Sequence, residues 1–230
     1  ASGKSVTSSS SDITITSTNF SWQSPSPDNT TGKFYLVPTG LSFGQLVQTA
    51  FFTFTGITEL NMGSLTNTYG IAVDNAVSVN GNVNLLARGG TTADVYINGG
   101  SLTVTGGNST TLIKASQDAY FYGPITVNGT GTNTLTIMSG RDVYSNVAFN
   151  GASNKPLTTN LYSDVDNTGG GAIILNTSAS ILTYGGNITM RGGTGDTTIL
   201  SGVSCATTKT CIAGFASSSG KDWVGSGAAY

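Results

Sequence analysis

The chain has no histidine and a single glutamate, Glu59, in 230 residues. Without histidine, the usual serine and cysteine hydrolase triads and most zinc catalysis lack their base or their ligand. Charge is equally scarce. Asp, Glu, Lys and Arg make up 9% of the chain, and the formal net charge is −2. The basic stripe with which a protein neutralises phosphates is missing, so no nucleic-acid partner is expected. No stretch approaches the roughly 20 apolar residues that a membrane-crossing helix needs. Helical periodicity is lacking too, apart from a weak candidate around Leu41 to Phe52.

Cysteine is limited to Cys205 and Cys211, in "SCATTKTC". Joined, they would close a short loop and contribute roughly 2–3 kcal/mol in the chain-entropy picture. A disulfide there implies an oxidising compartment; two free buried thiols are the alternative, since a lone pair lacks the further ligands of a zinc site. The chain opens on Ala1 rather than Met, as a processed exported protein or an excised fragment would. A secreted or cell-surface setting is expected.

What the chain does have is 32 glycines without a Gly-X-Y period, set among Thr, Ser and Asn, and many β-branched and aromatic residues. That composition excludes collagen and argues against disorder. Residues 1–33 are Ser/Thr-rich and read as an arm and linker, in which "SDITITS" places Ile13 and Ile15 on one face of a strand that could be donated to a neighbour. Residues 34–60 are the most aromatic part and read as a hydrophobic first layer or cap. From about residue 70 to 200, short strands with two inward apolar side chains alternate with Gly/Asn turns, as in "NVNLLARGG", "ADVYINGG", "SLTVTGG" and "NTLTIMSG". The stretch "NGNVNLLARGGTT" at 80–92 is echoed by "YGGNITMRGGTG" at 184–195. Such self-similarity points to a solenoid. The expected fold is all-β, a right-handed parallel β-helix over residues 34–200, followed by a Cys loop and tail at 201–230. About six coils would make a rod about 30 Å long. A β-sandwich is the alternative, because alternation of apolar and polar residues fits both.

Several stretches invite a chemical reading. Asp164 and Asp166 in "SDVDNTGGGA" could ligate calcium, but the loop offers only two carboxylates, and a wide turn explains it as well. "GGTGD" at 192–196 is an incomplete calcium-repeat pattern, and "SGKS" at 2–5 lacks the rest of a phosphate loop. Asp94, Asp118 and Asp142 recur every 24 residues, close to one coil, so they are expected to stack in a line with Arg141 beside them. Neighbouring carboxylates can divide into acid and base. Aspartate at repeated turns is the structural alternative. Tyr120 and Tyr122, flanking an inward Phe121, could stack on sugar rings or form an aromatic ladder between coils.

The run "ASQDAYFYGPITVNGTGTNTLTI", followed by "NLYSDVDNTGGGAIILNTSASILTYGGNITMRGG", resembles the filamentous haemagglutinin-like exoproteins of two-partner secretion systems. The resemblance covers about residues 75–195 and is most specific over 160–193. It implies a right-handed parallel β-helix on the surface of a Gram-negative-type cell, serving as an adhesin shaft or a secretion-domain-like module. The "NPNL" and "NPNGI" motifs of that family's secretion domain are absent. Three functions follow as expectations: an extracellular adhesive shaft, a self-assembling filament subunit, and, least favoured, a glycan-cleaving enzyme. The expected partners are glycans or proteins of a host or neighbouring cell surface, or copies of the chain itself; neither a cofactor nor catalysis is expected.

Overall fold

A computed structural model describes residues 11–19, 26–27, 31–54, 56–166, 171–176, 178–192 and 224–225. Three long parallel sheets wind as a β-solenoid of about 6 turns, and a fourth, two-stranded parallel sheet joins Ser26–Pro27 to Phe52–Thr53. The long face holds eight strands: Ile13–Thr16, Lys33–Val37, Glu59–Ser64, Asn82–Ala87, Ser109–Ala115, Asn133–Ser139, Leu157–Ser163 and Ile188–Gly192. The second face runs through Val47–Gln48, Ile71–Val73, Val95–Ile97, Ala119–Phe121, Val143–Ser145, Ile173–Leu175 and Val224–Gly225. The third runs through Val77–Val79, Leu102–Val104, Ile125–Val127, Ala148–Asn150 and Ser180–Leu182.

Every pairing between these strands is parallel. A sandwich of hairpins would pair neighbours antiparallel, so that alternative is excluded. The glycine and asparagine punctuation turns corners between faces instead of reversing the chain. The weak helical stretch at Leu41 to Phe52 is a loop, a two-residue strand at Val47–Gln48 and a single 3-10 turn at Thr49–Phe51. Its apolar residues go where the solenoid needs them: Phe43, Val47 and Phe52 all point into the core.

In-register stacking builds the core. One inward column of the long face reads Leu36, Met62, Leu85, Ile113, Ile137, Leu161 and Met190, all buried. Each such side chain contributes about 1.5–3 kcal/mol on leaving water. The next column alternates in chemistry: Leu60, Val83, Thr111, Leu135, Thr159, Ile188. Thr111 and Thr159 bury hydroxyls that have no hydrogen-bond partner. At the amino-terminal end, Phe34, Phe52 and Phe54 meet with ring centroids 5.0–5.8 Å apart and plug the core. This places an aromatic layer within residues 34–60. Tight stacking also dictates where glycine stands. Gly63 lies at φ 82°, and a Cβ there would sit 2.2 Å from the Leu86 carbonyl oxygen of the next turn.

The Ile13–Thr16 strand is the first rung of the long face, paired with Lys33–Val37 through Ile13↔Phe34 and Ile15↔Leu36. Seven intervals between eight strands give the long face a length of about 34 Å along the axis.

Candidate functional site

The second face carries the densest polar chemistry. Asp94, Asp118 and Asp142 stand one residue before the strands Val95–Ile97, Ala119–Phe121 and Val143–Ser145. Those strands are in register, so the three aspartates share one corner of the solenoid, as their spacing predicts. Each carboxylate accepts an N–H from the turn that follows. Asp94 Oδ1 takes the Asp118 amide at 2.9 Å, Asp118 Oδ1 the Asp142 amide at 2.9 Å, and Asp142 Oδ1 the Ala172 amide at 2.8 Å. Gly70 precedes Ile71–Val73 at the same corner, and a Cβ there would meet the Asp94 carbonyl oxygen at 3.0 Å.

A tyrosine column lies beside the aspartates. Tyr96, Tyr120 and Tyr144 are aligned in adjacent strands. The Tyr96 hydroxyl donates to Asp94 Oδ2 at 2.5 Å and the Tyr120 hydroxyl to Asp118 Oδ2 at 2.8 Å. Tyr144 differs, because its hydroxyl accepts from Asn176 Nδ2 at 2.5 Å, and Asn176 also bonds Asn146. The rings of Tyr96 and Tyr120 stack with centroids 5.2 Å apart and planes 9° from parallel. Tyr122 lies alongside Tyr120 at 6.2 Å and 10°, while Tyr144 tilts against both at 6.0 Å. Underneath, Phe121 is buried and packs edge-on to Phe149.

The aspartate column and the tyrosine column are one feature written three times in the sequence. Asp94-Val95-Tyr96, Asp118-Ala119-Tyr120 and Asp142-Val143-Tyr144 repeat the pattern D-x-Y at intervals of 24. The aspartates alone were legible from their spacing. Tyr96 and Tyr144 were not singled out, although the triplet, had it been read as a unit, marks them.

Arg141 closes the corner. Its Nε donates to Asp118 Oδ1 at 2.8 Å, its Nη2 bonds Asp118 Oδ2, and Asp142 Oδ2 lies 3.8 Å away. The Arg141 side chain is 47% exposed, whereas that of Asp118 is 1% exposed. Burial pushes the Asp118 carboxyl up, but Arg141, the Asp142 amide and the Tyr120 hydroxyl outweigh it and hold the pKa below the ordinary value. Burial and the hydrogen bond to Asp118 push the Tyr120 phenol up to about 12. Burial and Asp94 raise Tyr96 in the same way. Chemically this centre holds an ionised acceptor in place. A general acid at neutral pH needs a raised carboxyl pKa, and Asp118 is tuned the opposite way.

The remaining sequence candidates are dispersed. Asp164 is 1% exposed at φ 51°, its amide donates to the Arg141 carbonyl at 3.1 Å, and Val165 donates to Ser139 at 3.0 Å. This is turn geometry, from which Asp166 reaches back towards Gly140. Among the described residues no group of three or more His, Cys, Asp or Glu is placed to hold a metal ion. Tyr122 is 45% exposed, Ile13 is buried and Ile15 is half-buried. Cys205 and Cys211, "SGKS" at 2–5 and most of "GGTGD" lie outside the described residues. Among the described residues no helix is long and apolar enough to cross a membrane.

No family model, curated protein or solved structure matches the chain.

Proposed function

We propose that the chain is a rigid β-helical shaft segment of an extracellular adhesive or structural protein of the filamentous haemagglutinin-like type. One observation carries this reading: the D-x-Y spine, in which a side chain of each turn is bonded to the backbone of the next. A spine of that kind spends its polar groups on axial continuity, which is what a spacer that displays a surface away from its anchor requires. Solenoids suit the task because stacking adds length without a large globular core. The resemblance over residues 160–193 supports the family assignment, and the low charge supports a role outside nucleic-acid binding. The reading gives the aspartates no catalytic part.

The partners of such a shaft are glycans or proteins on a neighbouring surface. Tyr122, which is exposed, offers more surface to a sugar than Tyr120, which is engaged by the rings around it. The experiment is small-angle scattering of the purified chain combined with glycan-array binding of the wild type and Tyr122→Ala. A rod with binding that falls in Tyr122→Ala supports the reading. A compact globule, or an array with no binding to any glycan or cell-surface protein, sinks it.

A filament subunit is the second reading, favoured by the uncharged first strand at one end of the long face. Electron microscopy at two concentrations separates the two, since only the subunit polymerises.

A further inference from the structure

We propose that the outer edge of the Ile13–Thr16 strand is a self-association site, where two copies of the chain join end to end through an antiparallel strand pair about a two-fold axis. The backbone fixes which groups are available. Ser17 donates its N–H to the Val37 carbonyl at 3.1 Å and accepts from the Thr39 amide at 3.3 Å, so both its polar groups face the neighbouring strand. The N–H and C=O of one residue point to the same side, and sides alternate along a strand. Ile13 and Ile15 therefore bond towards Lys33–Val37, while the amides and carbonyls of Thr14 and Thr16 point out of the end of the rod. Among the described residues no strand pairs with that edge. Proteins that avoid edge pairing place charge, proline or a bulge there, and "ITIT" has none of them.

A second, independent observation concerns the core. Ile15 is only partly buried, although Leu36 and Met62, the next residues of its column, are buried. A reversed copy of the same strand fits both needs at once. With Ile15 opposite its counterpart, Thr14 of each copy pairs with Thr16 of the other, which makes four N–H···O bonds. The two Ile15 residues then form the closer, non-hydrogen-bonded kind of pair, with Cα atoms about 4.5 Å apart. Both lie on the core side, and each covers the other.

Among the described residues the last strand of the long face is a poorer partner. Its Ile188 and Met190 are already 4% and 1% exposed, so these two side chains leave no apolar surface for another copy to cover. An isologous contact closes at two copies and does not propagate. The inference thus rests on the strand-addition reading and restricts it to pairs. Four residues of edge fall well short of the roughly 800 Å² per partner of a stable dimer, so association is weak and rises with concentration.

Sedimentation velocity and small-angle scattering from micromolar to millimolar concentration test this. The expected result is a mass and a rod length that both double as concentration rises. Thr14→Pro removes an amide that points outward and no bond to Lys33–Val37. It is expected to abolish the doubling while leaving the circular-dichroism spectrum unchanged. Ile15→Lys, a second variant, sets two like charges face to face and is expected to weaken association at least tenfold. A chain that stays a single rod at every concentration overturns the proposal and leaves the shaft reading intact. Association that persists in both folded variants also overturns it, as do long filaments, which require a propagating contact. A species that is not a rod at any concentration sinks the shaft reading instead.

Discussion

Arg141 reaches back across one turn to grip Asp118, with its Nε 2.8 Å from Oδ1. The carboxylate is buried, the guanidinium is half in water, and Tyr120 and the Asp142 amide complete the shell. An ionised group is thereby held inside a solenoid that has few charges to spare.

Arg141→Gln should destabilise the protein by about 2 kcal/mol at neutral pH, less than the full cost of orphaning a buried carboxylate because the guanidinium is half solvated. Adding Asp118→Asn should recover part of that loss, since no buried charge then remains unpaired. Urea unfolding of the two single variants and the double variant measures the coupling, and strictly additive losses would refute it.

The same contact sets a pH dependence. The folded Asp118 pKa lies below the ordinary carboxylate value, so its stabilisation is fully present above about pH 4, the unfolded value, and is lost as pH falls through the folded value. Thermal unfolding between pH 5 and pH 2 should show a progressive loss that is smaller in Asp118→Asn. Identical slopes in the two proteins would remove Asp118 from the account.

Thr111→Val should stabilise the protein by about 1 kcal/mol, because the hydroxyl is buried without a partner and valine keeps the shape. The urea midpoint should rise while the slope stays constant. A fall in the midpoint would mean that the hydroxyl is satisfied in solution.

Gly63→Ala should cost more than about 2 kcal/mol, since φ is 82° and the new methyl would press on the Leu86 carbonyl oxygen. A shift in the thermal midpoint of only a degree or so would show that the neighbouring turn can move aside. Gly40→Ala, where nothing lies within 4 Å of the added carbon, is the matched control.

The turn rhythm made the solenoid legible. Strands of four to six residues, each with two apolar side chains and bounded by Gly or Asn, suit a coil whose inner column repeats from turn to turn, and Leu36 through Met190 form such a column. The sandwich alternative survived in the sequence because inward and outward alternation is the same in both folds; only the partner of each strand differs. The line of aspartates is legible from its 24-residue interval; its link to Tyr96 and Tyr144 is not, because the aromatic reading rests on the Tyr120–Tyr122 cluster and not on the D-x-Y triplet. Two carboxylates before a run of glycines suit a turn, and Asp164 lies at φ 51°.

The sequence by itself determined the strand content, the coil length of about 24 residues and the sparse charge, because these depend on local pattern and composition. Only the tertiary structure decided what the aspartates do. The same interval suits an open groove of paired carboxylates and a closed spine, and the choice depends on how neighbouring turns meet in space. Stacking brings each carboxylate within 2.9 Å of the next turn's amide and lays Arg141 over Asp118. Those distances couple residues 23 to 30 positions apart, and local sequence pattern does not encode distance across that span.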